Sequence, residues 1–462
     1  MIIFIAIGFA LLFYALFDLK KAFMLFLMFR LFLDSRINIV NLPGVPLLTL
    51  ELVMCSMFIC IYLVMNYFKK VEADKNPFPL KIAFIFLSIS LTFSSIFGIA
   101  GFATDFTNLI KQVIENYLTV WLIWVLLNKK SDYIFLLKGL ALVFLIAGLY
   151  GIFEIATLSN PYTDFKNLIS GGGDKFTNTL LFHNDPLRGY RINSIFSDPI
   201  SGGMYWSLMI LVIIYLTVYF KKTMRLPHIL LIIVTCISLI CLFFTKSRAP
   251  LVFLLLGLLP CLFFINKRIF VICIAGIIVV AGVYFWDSSV FTNFFSLYDS
   301  SAQREVGGST YELRATQMAA AWDIFKDAPV FGHGLHSMTY LPTTYARQNL
   351  IDADGLWMLV LVSYGIVGVA ATLFLIFCLI YQLGIKKRNR FVIILSIAFF
   401  ITESFSNSNF NEWIFYAFIF MFLKMEGWQK IELFYRKKYG RINHYRKLQH
   451  KGADKTMPAV SF

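Results

Sequence analysis

Charge is what this chain has least of. Asp, Glu, Lys and Arg make up 15% of its 462 residues, where a soluble domain carries about 25%. The stretches 206–220, 251–265 and 269–286 contain no charged residue at all. A soluble fold with 59% hydrophobic residues would have to break its apolar runs with polar faces every few positions, so a water-soluble domain is excluded. Cysteine is missing from the polar loops: Cys55, Cys60, Cys236, Cys241, Cys261, Cys273 and Cys378 all lie in apolar segments. That argues against a disulfide framework or a thiolate metal site and for buried packing residues. Internal repeats and matched Gly/Pro-broken spans, the usual signs of a secondary transporter, are lacking as well. Met1–Phe17 has neither a basic leader nor a small-residue cleavage site and reads as a retained first helix.

What the chain does have is a succession of apolar runs. With about 20 residues per crossing, spans are expected near 1–17, 22–41, 46–68, 79–101, 108–128, 133–157, 199–220, 226–244, 249–266, 269–286, 355–383, 391–404 and 412–424. The second is the weakest, because Arg30, Asp34 and Arg36 interrupt it. The fold class is therefore all-α, a polytopic transmembrane helical bundle of 12–13 spans with two long loops on one side. Its organisation is expected as N-terminal transmembrane helices over 1–157, a first periplasmic loop over 158–198, and central helices over 199–286. A large periplasmic loop over 287–354, C-terminal helices over 355–424 and a basic cytoplasmic tail over 425–462 complete it.

The net charge of +15 sits in short clusters between spans, a footprint of topology and not of a nucleic-acid groove. Lys20–Lys21, Lys69–Lys70, Lys129–Lys130, Lys221–Lys222, Lys267–Arg268 and Lys386–Arg390 occupy alternate connections and should be cytoplasmic. Both long loops then face the periplasm or exterior, together with the short turn Thr245-Lys246-Ser247-Arg248. Two cations at an external helix junction go against the orientation rule, so either the topology is locally different or they are kept there for binding. Within the second loop, 310–326 reads as an amphipathic helix with Leu313, Met318, Ala321, Trp322 and Phe325 on its apolar face, closed by Pro329 and the turn Gly332-His333-Gly334.

Three external positions combine charge with a membrane boundary. Arg191, close to Arg188, precedes a span opening Pro199-Ile-Ser-Gly-Gly203. A guanidinium fork beside a helix N-terminus suits phosphate; equally, it anchors the helix at headgroup level or pairs with Asp198. Ser247-Arg248 begins another span and serves either a bound phosphate or a lipid headgroup. Asp354, one step before the span from 355, is placed to take a proton from a hydroxyl or simply to cap the helix. Asp352-Ala-Asp354 also has a spacing that can hold a divalent cation, though two acids are far from a full oxygen-ligand set. Taken together, Arg191, Arg248 and Arg314 with an opposing carboxylate are a minimal set for displacing a diphosphate by an activated hydroxyl without a metal or other cofactor. His333 and His336 beside the glycine turn are further candidates for substrate contact. Glu51, Glu115, Glu154 and Glu403, in or beside spans, keep a flippase or transporter in view.

These segments resemble the family of O-antigen ligases and O-antigen or exopolysaccharide polymerases. Arg191-Ile-Asn-Ser-Ile-Phe-Ser-Asp-Pro-Ile-Ser-Gly-Gly203 is similar to its R-x-x-G-x-F-x-[ND]-P-N-x-x-G segment, and Ser247-Arg248 to its Ser-Arg. Arg314 followed by Pro329-Val-Phe-Gly332-His-Gly334 resembles its periplasmic arginine helix with P-x-x-G-x-G, and Asp354 to Gly368 resembles H-N-x-x-L…G-[IL]-x-G. Ser194 stands where the family has Gly, Ile200 where it has Asn, and Asp354-Gly355 where ligases have His-Asn. The last departure shifts the expectation from ligase to polymerase. The resemblance implies a glycosyltransferase of the bacterial inner membrane, active on its periplasmic face, with undecaprenyl-diphosphate-linked glycans as donor and acceptor. Undecaprenyl diphosphate would leave with inversion at the anomeric carbon. Membrane lipids are further partners, a chain-length regulator protein is a candidate partner, and transfer of finished glycan to lipid A-core or protein is the alternative.

Overall fold

The computed structural model describes residues 2–33, 38–40, 48–74, 76–169, 184–185, 189–219, 228–265, 311–337, 341, 355–406, 412–425 and 427. They are helical almost throughout. In chain order the helices are α1 (Ile2–Ala15), α2 (Leu19–Arg30), α3 (Leu50–Tyr67), α4 (Lys81–Ile96), α5 (Phe102–Gln112) and α6 (Thr119–Leu126), the last two fused through a π-helical turn at Val113–Leu118. There follow α7 (Lys130–Thr157), α8 (Pro161–Ile169), α9 (Pro199–Tyr219), α10 (His228–Phe244), α11 (Arg248–Ile265) and α12 (Tyr311–Asp327). Next come α13 (Leu356–Phe377), which runs on as a π-helical segment to Ile385, and α14 (Arg390–Phe405), then α15 over 412–425. Among the described residues the strands are two small antiparallel pairs, Asn38–Val40 with Leu48–Thr49 and Asn184–Asp185 with Gly189–Tyr190.

Among the described residues, five helical stretches are long and apolar enough to cross a membrane: Leu50–Tyr67, Phe102–Leu126, Lys130–Thr157, Pro199–Thr217 and Leu356–Ile385. Four of them bury 44–50% of their apolar window inside the protein, whereas Pro199–Thr217 buries 83%. The four thus turn about half their surface outward, as helices against lipid do, while α9 is wrapped by protein and forms the centre of the bundle. Side chains are trimmed where α9 meets α11: a Cβ at Gly203 would run into Pro250, and one at Gly257 into Leu211. Small residues of this kind let membrane helices approach closely when no hydrophobic force drives them together. Where chain leaves loop for helix, a side-chain oxygen takes an orphan amide: Asp18 accepts from Lys21 N, Thr49 from Leu52 N and Asn389 from Val392 N, each at 3.0–3.1 Å.

One end of the bundle gathers basic connections. Lys20 Nζ donates to Asn128 Oδ1 at 2.8 Å and pairs with Asp132 at 3.1 Å. Lys424 Nζ, at the end of α15, donates to the carbonyls of Trp124 and Leu127 and pairs with Asp74 at 2.9 Å. The connections around Lys20, Asp74 and Asn128–Asp132 and the end of α15 are therefore neighbours in space.

Two expectations need correction. The span placed at 22–41 is helical only over Leu19–Arg30, 12 residues or about 18 Å at the usual rise, too short to cross. It ends where Arg30, fully buried, meets Glu51 at the start of α3 (Nε to Oε1, 2.5 Å) and lies 5.7 Å from the Trp413 ring. Glu115, which accepts from Thr49 Oγ1 at 3.2 Å, is carried by the π turn. The face given to the loop helix is also different. In α12 the buried positions are Gln317, Ala321 and Ile324, while Met318 and Trp322 are 42% and 51% exposed. Ala321 and Ile324 pack on Met358 and Val362 of α13, because a small side chain permits an approach that the Trp322 stripe would block. The side chain of Leu313 and the expected span at 269–286 lie outside the described residues.

Arg30→Ala leaves Glu51 as a buried carboxylate without its partner. Denaturant unfolding of the detergent-purified protein should show a loss of about 3–5 kcal/mol, most of it recovered in the double variant Arg30→Met, Glu51→Met; an unchanged midpoint for Arg30→Ala would refute the role given to the pair.

Candidate active site

At the end of the bundle opposite Lys20 and Lys424, the chain entering α9 and the turn entering α11 are fastened together. Arg191 is buried; its Nε donates to the Thr245 carbonyl at 3.1 Å and its Nη2 to Ser247 Oγ at 2.7 Å. Ile192 N donates to the Phe244 carbonyl at 3.2 Å, and Ser207 Oγ to the Pro250 carbonyl at 2.8 Å. Arg191, Ser247 and the half-buried Arg248 are thus brought into one place from segments 54 or more residues apart. Lys246 joins them. It is exposed, holds a left-handed backbone (φ +48°), and its Nζ lies where a Cβ on Gly189 would touch it at 3.1 Å.

The backbone from 190 to 194 is held by one carboxylate. Glu154, on the last turn of α7, accepts from Tyr190 Oη (3.1 Å), Asn193 N (3.3 Å) and Ser194 N (2.7 Å). Burial, together with the adjoining Glu154 carboxylate, pushes the Tyr190 hydroxyl above its ordinary range, so it stays a neutral donor. Ser194 adopts φ +55°, the left-handed region that favours glycine, at the position where the family resemblance has Gly. Its strain is offset by the amide bond to Glu154 and by Oγ donating to the Ala147 carbonyl at 2.6 Å. Asn160 and Lys166 support the same turn: Asn160 Nδ2 donates to the Ser194 carbonyl at 2.9 Å and Lys166 Nζ to the Phe196 carbonyl at 3.0 Å. Asp198 caps α9, Oδ1 accepting from Ile200 N and Ser201 N at 2.9 and 2.8 Å.

A second construction sits on α13. At Gly365 (φ +62°, ψ −161°) the helix is broken, and the amides of Ile366 and Val367 turn from the carbonyls of Val362 and Ser363. All four groups are taken up by the segment following α12. Ile366 N and Val367 N donate to the carbonyls of Pro329 and Val330 at 2.9 and 3.2 Å; His333 N and Gly334 N donate to those of Val362 and Ser363 at 2.9 and 3.0 Å. Gly332 and Gly365 are required by contact as well as by φ, since a Cβ at either would enter the facing backbone. The spacing P-x-x-G-x-G and the distant Gly365 are two halves of one joint. His333 is buried with Nε2 2.9 Å from the Ile324 carbonyl, and His336 donates its N–H to Asp105 Oδ1 while its Nδ1 accepts from Asn108 Nδ2, each at 2.9 Å. Both histidines are thereby tied into this joint.

Helix α14 connects the two constructions. Trp357 Nε1, in the first turn of α13, donates to Ser404 Oγ at 2.7 Å, and on the other side Phe399 meets Phe253 of α11 with ring centroids 6.2 Å apart. The start of α13, the end of α14 and the start of α11 therefore share one end of the bundle. Asp354, Asp352 and Arg188 lie outside the described residues; Gly355, next to Asp354, lies against the Ser404 carbonyl. Arg314, half-buried, is on the first turns of α12, whose inner face packs on α13. Sequence reasoning missed Glu154 as the anchor of the Arg191 turn, placing it with the transport carboxylates, and missed Asn160 and Lys166 altogether. Their only signal was position, within ten residues of the loop start.

Residues 233–373 match the family model described as O-antigen ligase. The matched range contains Ser247, Arg248, Arg314, the 329–334 segment and the Gly365 joint. No curated protein matches the sequence.

Ser194→Gly exchanges backbone strain for a lost hydroxyl bond, so the purified protein should unfold within about 1 kcal/mol of the parent, whereas Ser194→Val, β-branched at a left-handed position, should lose more than about 2 kcal/mol. Equal loss in both would mean that the strain is not there. Gly365→Ala should cost roughly 2–3 kcal/mol in the same measurement; an unchanged midpoint would contradict the joint.

Proposed function

Proceeding from a chain whose residues 233–373 match the O-antigen ligase family, we propose a membrane glycosyltransferase that polymerises undecaprenyl-diphosphate-linked repeat units into O-antigen or a related surface polysaccharide. The observation that carries this reading is the Arg191–Ser247 bond of 2.7 Å, which seats a buried guanidinium one residue from Arg248. Cations of this kind at a helix entrance stabilise charge that develops on a departing diphosphate. In the scheme, Arg191 and Arg248 hold the donor diphosphate, with Arg314 and Arg188 approaching from the two loops and Ser247 orienting Arg191. His333 and His336 shape the glycan path.

Asp354 acts as base. It takes the proton of an acceptor-glycan hydroxyl as that oxygen bonds to the donor's anomeric carbon from the face opposite the diphosphate. The anomeric C–O bond breaks, the electron pair goes with undecaprenyl diphosphate, and configuration inverts. The charge is supplied by guanidiniums and the scheme routes no step through a metal. A lipid carrier suits a site at helix ends, where its chain stays in the bilayer and its sugars in water. The orientation rule puts that end at the periplasmic face of the inner membrane.

The ligase alternative, transfer of finished glycan to lipid A-core or protein, draws on the description of the matched family itself; Asp354 in place of the ligase histidine favours polymerisation. For transport, two of the four intramembrane carboxylates already have structural tasks: Glu51 pairs with Arg30, and Glu154 holds the Arg191 turn.

Arg191→Ala, Arg248→Ala and Asp354→Ala should each lower polymer formation by about 10²-fold or more, read as surface polysaccharide on a gel. Loss of long chains with a single repeat retained on the acceptor is the expected pattern. Loss of the single repeat too would point to ligation or to a flippase, and unchanged long chains in all three variants would overturn the enzymatic reading.

A further inference from the structure

A cavity of about 240 Å³ lies between α4, the π turn, α13, α14 and α15. Its walls are largely apolar, but polar groups enter from three directions. Glu403 comes from the last turn of α14, Glu412 from the first residue of α15, and Gln112 from the end of α5. Ser90, on α4, also lines it, and its hydroxyl is fully buried with no hydrogen-bond partner. A buried hydroxyl left unpaired is costly. Tyr364 and Tyr416 supply aromatic surface. Leu356, two residues after Asp354 in the sequence, is part of the wall.

The chemistry of this lining discriminates among the parts of a lipid-linked glycan. A diphosphate meets acidic side chains and no cation among the described residues of this lining, and a polyprenyl chain gains nothing from them. A sugar ring fits: carboxylates and an amide accept and donate to vicinal hydroxyls, Ser90 finds its missing partner, and tyrosine rings cover the ring's C–H face. We propose that this cavity is the acceptor-sugar subsite, holding the terminal sugar of the acceptor glycan with its attacking hydroxyl toward Asp354. The inference rests on the transferase reading above. It gives the two groups different chemistry, the cations of the arginine turn for the donor diphosphate and the acids and amide of the cavity for the acceptor sugar.

The probe is the repeat oligosaccharide freed by mild acid from lipid-linked repeats extracted from cells lacking this gene, so that it carries sugar without diphosphate. Its binding to the full-length protein in nanodiscs is measured by calorimetry. Ser90→Leu, which fills the cavity, and Glu412→Gln, which keeps its shape, should each weaken binding about 10-fold or more, while Arg248→Ala binds as the parent does. Thermal unfolding identifies any variant that fails to fold, and Glu412→Gln then stands alone as the test. Parent-like binding by the folded variants, or no binding to the parent, overturns the subsite. Failure of the transferase reading is distinct: there the Arg191, Arg248 and Asp354 variants keep long polymer whatever the cavity binds.

Discussion

Helix α13 gives up two of its own backbone hydrogen bonds at Gly365, and the polar groups so released have no water to turn to inside a bilayer. Their partners come from the other end of a loop. The four bonds to 329–334 hold that segment against α13, and because α12 runs directly into it, the same bonds fix where Arg314 enters. They also fix the start of α13, where Asp354 precedes the helix. Broken helix and inserted segment are each costly alone; joined, they leave no orphan among these groups. That mutual requirement explains why glycines at 332 and 365, over thirty positions apart, must both lack a side chain.

The arginine turn obeys the same economy of polar groups. Arg191 is buried, so its charge must be met, and Nε and Nη2 meet it with the Thr245 carbonyl and Ser247 Oγ. Bonds of this kind spend part of the guanidinium on structure and in return hold Arg248 and Lys246 on a rigid turn. Beneath it, Glu154 satisfies three donors of the 190–194 segment, two amides and a hydroxyl. A carboxylate near an arginine would weaken an anion site if aimed at the ligand; here its oxygens are occupied by amides and a tyrosine hydroxyl and stabilise the backbone instead. Elsewhere, Glu403 and Glu412 line the cavity between α13, α14 and α15.

Much of this was legible in the sequence. Apolar runs of about 20 residues identified the long helices, since only an apolar surface tolerates lipid on half its circumference. The anomaly of Lys246 and Arg248 in an outer turn pointed to the place where Arg191 docks. The short α2 was half visible, because Arg30 could not continue a span without Glu51, yet nothing local in the sequence pairs residues 21 apart. Glu154 was misread for the same reason: its partners at 190–194 are set by tertiary packing. The inner face of α12 was misplaced because apolarity alone favours Trp322, whereas close approach to α13 favours Ala321.

The central claim is that the arginine turn and the start of α13 converge on the outer face of the membrane. Cysteine pairs test it most directly. In a chain with the exposed Cys60 and Cys236 replaced by Ser, Lys246→Cys and Asp354→Cys are introduced together, and intact cells are treated with a short, membrane-impermeant bifunctional thiol reagent. Convergence predicts an internally cross-linked chain formed without opening the cells. Labelling of either cysteine only after lysis, or labelling of both with no cross-link, would contradict it.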